Sequence, residues 1–100
     1  MERKQLLFLH GYLSDRRAFA AQEKFFSRYF DCFSFDLPGF GKNTYMPYPY
    51  ALSDYVAFVK EYMDKNRIVK PHVVAHSFGA RVAVKAGAED RELFSSLVLT

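Results

Sequence analysis

The residues best placed to do chemistry are Ser77 and its neighbours, in the run PHVVAHSFGAR at positions 71–81. Val73 and Val74 are β-branched and belong to a short apolar segment, whereas the ARVAVKA that follows Gly79 suits a helix. The spacing predicts strand, sharp turn, helix. A serine on such a turn has its hydroxyl pushed out of the sheet and set beside the first N–H groups of the next helix, donors that can stabilise an oxyanion. The bend needs small residues two places before and two after the serine, and Ala75 and Gly79 stand there. The usual pattern is G-x-S-x-G, and Ala75 adds one methyl group to it, which the turn tolerates. A second reading makes Ser77 a helix cap and nothing more. So short a motif does not by itself separate the two, and the surrounding elements must decide.

Half of the 100 residues are hydrophobic and 18% are aromatic, enough apolar surface to need a core, so the chain reads as one globular unit. Fourteen basic residues against 11 acidic ones are spread along the chain, with only short pairs such as Arg3-Lys4 and Arg16-Arg17. A solvated surface accounts for that distribution, and no basic stripe interleaved with aromatic residues suggests a nucleic-acid partner. Cys32 is the single cysteine; it lies in the apolar run CFSF, which predicts a buried thiol in a reducing compartment and excludes an internal disulfide. The opening MERKQLLFLHGY has too few consecutive apolar residues for a signal peptide or a membrane span. The expected location is the cytoplasm.

The elements that must position Ser77 follow in order. Residues 5–10, QLLFLH, form a near-continuous apolar run ended by Gly11, as expected of a central parallel strand covered on both faces. From Asp15 to about Tyr29, Ala18, Ala21, Phe25 and Tyr29 recur at helical spacing and predict a covering helix capped by Ser14. A second strand is expected at residues 32–35, stopped by the turn DLPGFG at 36–41. Residues 43–50 contain two prolines and three tyrosines and read as an extended connection. Those tyrosines either pack the approach to the next helix or border a pocket. Ser53 or Asp54 then caps a helix to about Asn66, with one stripe of Leu52, Val56, Val59 and Met63 and a second of Tyr55, Phe58 and Tyr62; so wide an apolar face implies packing on a sheet. Residues 71–75 give the third strand, and residues 79–87 a helix whose Ala80, Val82, Ala83 and Ala86 allow close approach, with Gly87 ending it. Leu97-Val98-Leu99 reads as a fourth strand that begins at Ser96. The alternation predicts an α/β fold, a mostly parallel sheet of about four strands with helices on both faces.

Three segments, LLFLHG at 6–11, DLPGFGKN at 36–43 and AHSFG at 75–79, resemble in order and spacing those of the α/β-hydrolase superfamily, over the whole chain. The resemblance implies a serine nucleophile at Ser77. It implies an oxyanion hole made by the backbone N–H groups of Tyr12, which follows the His10-Gly11 pair, and of Phe78, which follows the nucleophile. Their side chains would also line the acyl pocket. It makes His10, Gly11, Gly39, Gly41, Ala75 and Gly79 parts of the structural framework. Asn43 stands where serine is common in the family's D-x-x-G-x-G-x-S turn. Other readings of the glycines fail: Gly39-Phe40-Gly41 lacks the third glycine of a dinucleotide fingerprint, and Gly41-Lys42 is followed by Asn43 where a phosphate loop needs Ser or Thr. No cofactor is implied, and no His, Cys or carboxylate spacing suggests a metal.

Serine hydrolysis also needs a base and an acid, which in this family follow the nucleophile in the order Ser, Asp or Glu, His. No histidine follows His76. His76 neighbours Ser77 on the strand, so its side chain should point the other way. His10 belongs to the His-Gly turn, and His72 reads as a surface or strand-end residue. Glu89, Asp90 and Glu92 follow the third helix without a matching base. The expectation is therefore that residues 1–100 are the N-terminal portion of a single α/β-hydrolase domain, inactive alone, with the acid, the base and the cap region elsewhere. The parent protein would attack a small-molecule ester-like carbonyl through an acyl-enzyme on Ser77. Two alternatives remain: a non-catalytic binding protein of the same fold, and a related lyase or carbon–carbon bond hydrolase.

Overall fold

A computed structural model describes residues 3–11, 14–38 and 51–100. Four strands, β1 (Gln5–Leu9), β2 (Asp31–Ser34), β3 (His72–Ala75) and β4 (Ser96–Leu99), form one sheet in the order β2-β1-β3-β4, and every neighbouring pair is parallel. Parallel neighbours require crossovers. Helices supply them: a 3₁₀ turn at Arg16–Phe19 that runs into α1 (Ala20–Phe26), then α2 (Leu52–Lys65) and α3 (Phe78–Glu89). The chain leaves β1 toward β2 on one side and later returns to β3 on the other, so the order reverses between β1 and β3. Open α/β sheets bind ligands at the carboxyl ends of strands flanking such a reversal. Here those ends carry Gly11 and Ser77.

The core follows from the two-residue period of the strands. Leu7 and Leu9 of β1 and Val73 and Ala75 of β3 point to one face and are fully buried there by Tyr55, Val56, Val59 and Met63 of α2 and Val82, Ala83 and Ala86 of α3. Both stripes expected on α2 join this core, Leu52, Phe58 and Tyr62 at its margin. On the opposite face Phe8 is buried, its ring centroid 5.1 Å from that of Phe19 on the 3₁₀ turn. Helices thus cover both faces, as the alternation of the sequence predicts.

The first helix differs from its expectation. Ala18, Ala21, Phe25 and Tyr29 all face solvent, Phe25 and Tyr29 being more than half exposed, and the inner stripe is Phe19, Glu23, Phe26 and Phe30. Apolar residues occur all round this segment, and the 3₁₀ turn, at three residues per turn, shifts the phase of the helix that follows it. Phe19 is then held by Phe8, and Glu23 by the buried Ser34, whose hydroxyl donates to Glu23 Oε2 at 2.7 Å. Cys32 is only half-buried, on the edge strand β2, rather than in the core.

Other boundaries shift by small amounts with identifiable causes. α2 starts at Leu52, and its Asp54 carboxylate reaches back to accept the Ala51 N–H at 2.8 Å instead of standing at the cap. α2 ends with Arg67 left-handed at φ 56°, where Arg67 N–H donates to Asp64 O and Ile68 N–H to Met63 O, the paired bonds of a Schellman turn. Gly87 does not end α3, which continues to Glu89. The proline and tyrosine run at 43–50 lies outside the described residues. Among the described residues no helix is long and apolar enough to cross a membrane.

Candidate active site

Ser77 stands between two hydrogen-bonding systems. Its N–H continues the sheet, donating to Thr100 O at 3.0 Å, and its C=O opens α3, accepting the N–H groups of Ala80 at 3.0 Å and Arg81 at 3.2 Å. Strand and helix therefore meet at this one residue, with no loop between them. The cost is backbone strain: Ser77 has φ 53° and ψ −113°, a conformation that burdens a non-glycine residue by about 1–3 kcal/mol. An ordinary N-cap serine has extended dihedrals and turns its hydroxyl back onto the helix. Ser77 makes no such bond, and its side chain is exposed at the end of β3. Capping does not explain this residue.

The end of β1 packs directly against the turn. His76 N–H donates to Leu9 O at 3.0 Å. A Cβ on Gly79 would lie 2.5 Å from the carbonyl oxygens of both Leu9 and His10, so only a glycine lets the first turn of α3 approach that strand. Gly11 is also tight: a Cβ there would meet the His76 ring at 3.1 Å and Ser77 Cβ at 3.3 Å. Ala75 is fully buried beneath the turn. His10 is buried as well. Its Nε2 accepts the Leu37 N–H at 2.9 Å, and its Nδ1–H donates to Gly11 O at 2.8 Å, which ties Leu37 to the end of β1. The neighbouring Asp36 accepts the Arg16 N–H at 2.8 Å.

The structure thus brings together His10, Gly11, Ala75, Ser77 and Gly79, with Phe78 as the first residue of α3, where helix N–H groups and the helix dipole favour negative charge. The Phe78 ring turns to the core side and meets that of Tyr55 edge-on at 4.9 Å. Tyr12, Gly39 and Gly41 lie outside the described residues. The other two histidines are occupied elsewhere: the His76 ring bonds Thr100 Oγ1 at 2.9 Å, and the His72 ring bonds Ser96 Oγ at 2.6 Å on the amino-terminal side of the sheet. Sequence reasoning missed the part played by Leu37 and Thr100. At His10 and Ser77 they act through a backbone N–H and a backbone C=O, which leave no residue-type signal. Cys32 carries no sign of activation: burial pushes its thiol above the usual range, and the Glu23 carboxylate adds to the effect. Among the described residues no cluster of His, Cys, Asp and Glu could hold a metal ion.

A strand ending in a strained serine, a helix starting at the next residue, and a glycine-lined approach from the neighbouring parallel strand are the strand–turn–helix geometry of an α/β-hydrolase fold. Residues 6–100 match the alpha/beta hydrolase family, and the chain belongs to that family. It is 33% identical over 98% of its length to a Mycoplasma pneumoniae protein named "Putative esterase/lipase 2", and 31% identical over 97% to the uncharacterized hydrolase YugF of Bacillus subtilis. It covers 37% and 36% of these two proteins, so it spans little more than a third of the length of such curated relatives. Among solved structures, a thermophilic esterase from Thermogutta terrifontis superposes with a TM-score of 0.89 at 23% identity, over 96% of this chain and 36% of that one. MGS-M2, an alpha/beta hydrolase enzyme from a deep-sea metagenome library, does so with a TM-score of 0.92 at 18% identity, over 99% and 36%.

Proposed function

We propose that these residues form the nucleophile-bearing, N-terminal part of a larger hydrolase domain that acts on a small-molecule ester-like carbonyl in the cytoplasm. The observation that carries the reading is Ser77 itself, strained, exposed, placed at a helix N-terminus and unused as a cap. Backbone strain at one serine, kept by a tightly packed surround, is the pattern expected where geometry serves chemistry. The esterase/lipase name of the Mycoplasma pneumoniae relative supports the substrate class.

In this mechanism Ser77 Oγ attacks the carbonyl carbon while a base takes its proton. The developing oxyanion is met by the backbone N–H groups of Phe78 and Tyr12, the alcohol leaves as it regains a proton, and water releases the acid from the acyl-enzyme. The base and its orienting acid lie outside residues 1–100 in this reading, since the rings of His10, His72 and His76 are each bonded to other groups.

The test is labelling of the full-length protein with a fluorophosphonate probe, which needs an activated serine. Wild type should label at Ser77, and Ser77→Ala should abolish both labelling and hydrolysis of p-nitrophenyl acetate. A folded full-length protein that never labels would instead be a binding protein of the same fold. Labelling without ester hydrolysis would favour the lyase or carbon–carbon bond hydrolase alternative.

A further inference from the structure

We propose that Thr100 is a positioning residue for Ser77, its hydroxyl clamping the ring of His76, the residue before the nucleophile. The inference rests on the reading of Ser77 as nucleophile. His76 is tied to three elements at once. Its N–H donates to Leu9 O of β1 at 3.0 Å, its C=O accepts the Gly79 N–H of α3 at 2.9 Å, and its ring Nδ1 shares a hydrogen bond with Thr100 Oγ1 at 2.9 Å, one residue beyond β4. The last register pair of β3 and β4 is Ala75 with Leu99, so His76 and Thr100 stand opposite each other one step further along, their side chains on the same face. Thr100 also brackets His76 with its backbone, its N–H donating to Ala75 O and its C=O accepting the Ser77 N–H, both at 3.0 Å. Those backbone bonds are open to almost any residue at position 100; the bond between side chains needs this pair.

The clamp matters because Ser77 is strained. At φ 53° and ψ −113° its turn relaxes unless the neighbouring residues hold it. Among the described residues, its bond to Thr100 O is the outermost rung between β3 and β4, and outermost rungs open most easily. A side-chain bond across that same rung resists the opening. The other end of the two strands supplies a control. His72 and Ser96 are register partners, and His72 Nδ1 shares a hydrogen bond with Ser96 Oγ at 2.6 Å. This is the same chemistry set about 13 Å back along the strands, away from the turn. The two pairs differ in place alone, so only the one beside Ser77 should govern its reactivity.

Valine at position 100 keeps the branched shape and the strand preference and removes only the hydroxyl, whereas serine keeps the hydroxyl. In the full-length protein, Thr100→Val should speed hydrogen exchange of the Ser77 amide about three- to tenfold, as loss of one hydrogen bond does, and Thr100→Ser should stay within about twofold of wild type. Fluorophosphonate labelling of Ser77 should slow about three- to tenfold in Thr100→Val and less than about twofold in Thr100→Ser. For p-nitrophenyl acetate the Thr100→Val loss should fall on kcat, with KM held within about twofold. The His76 Nδ1 ¹⁵N shift should move in Thr100→Val and hold in Thr100→Ser. Ser96→Ala removes the matching bond at the far end and should leave exchange and labelling within about twofold of wild type. Equal effects of Thr100→Val and Ser96→Ala, or a Ser77 amide unmoved by Thr100→Val, would overturn the proposal. Faster exchange with unchanged labelling would also overturn it, leaving Thr100 a structural residue only. If wild type does not label, the nucleophile reading fails, and the Ser77 exchange rates still decide the clamp. If Thr100→Val does not fold, His76→Leu against His76→Asn repeats the comparison, because asparagine can put an amide group where Nδ1 stands; equal rates in those two variants would overturn the clamp.

Discussion

Replacing Gly79 by alanine is the sharpest test of how the turn at Ser77 is held. The new Cβ would start 2.5 Å from Leu9 O, 2.5 Å from His10 O and 2.8 Å from Leu9 C, all backbone atoms at the end of a central strand. Those atoms cannot swing aside as a side chain can, and Leu9 O also accepts the His76 N–H that holds the turn. Restoring ordinary contact near 3.5 Å requires α3 to back away by about 1 Å, against the packing of the fully buried Val82, Ala83 and Ala86. Overpacking of this kind costs about 1–3 kcal/mol, which exceeds the ~1 kcal/mol that alanine would gain over glycine inside an ideal helix. The same displacement moves the Phe78 N–H relative to Ser77 and should slow fluorophosphonate labelling on the order of 100-fold. Gly87→Ala is the internal contrast: its Cβ would meet only the Phe94 ring, at 3.7 and 4.0 Å, so the helix preference should stabilise the protein by about 0.5–1 kcal/mol. Urea unfolding of both variants of the full-length protein gives the comparison. A Gly79→Ala protein as stable as wild type, or two variants that shift alike, would refute the close-approach argument.

Two further predictions concern groups away from the turn. Because burial and the Glu23 carboxylate raise the Cys32 thiol above its ordinary range, its iodoacetamide alkylation should be slower than that of a free thiol at neutral pH and still climbing where the free thiol has levelled off; a rate matching the free thiol would contradict this. Asp15 is held down to about 2 from 3.8 by bonds from the Arg17 side chain and Arg17 N–H. A carboxylate with a depressed folded value contributes stability that is fully present above its unfolded range near 4 and is lost as pH falls through 2. The carboxyl ¹³C titration of Asp15 should therefore have its midpoint near 2, and a midpoint at the ordinary 3.8 would remove the contribution.

Much of the fold was legible because each signal was local and redundant. LLFL at 6–9 is an unbroken apolar run closed by a His-Gly pair, as a strand covered on both faces requires, and the two adjoining stripes of α2 leave one way to bury them. α1 departs from the face its periodicity predicts for the complementary reason. With phenylalanine, tyrosine and alanine on every side of a short helix, periodicity supplies two candidate faces, and the choice fell to partners distant in sequence, Phe8 for Phe19 and Ser34 for Glu23. Gly87 shows the same limit. A glycine near a helix end is a stop signal only if nothing further along holds the helix, and here the chain continues helical to Glu89.

At the candidate site the sequence determined which residues meet: a serine between Ala75 and Gly79, and a His-Gly pair at the end of a strand, are patterns of residue type at fixed spacing. Only the tertiary structure decided whether Ser77 caps or projects, because that depends on one pair of dihedral angles, set jointly by the bond to Thr100 just past the end of β4 and the first bonds of α3. Tertiary structure also decided the work of His10. Its tautomer is chosen by a backbone N–H 27 residues away, and a backbone donor is the same whatever side chain it carries, so no pattern of residue types could have announced it.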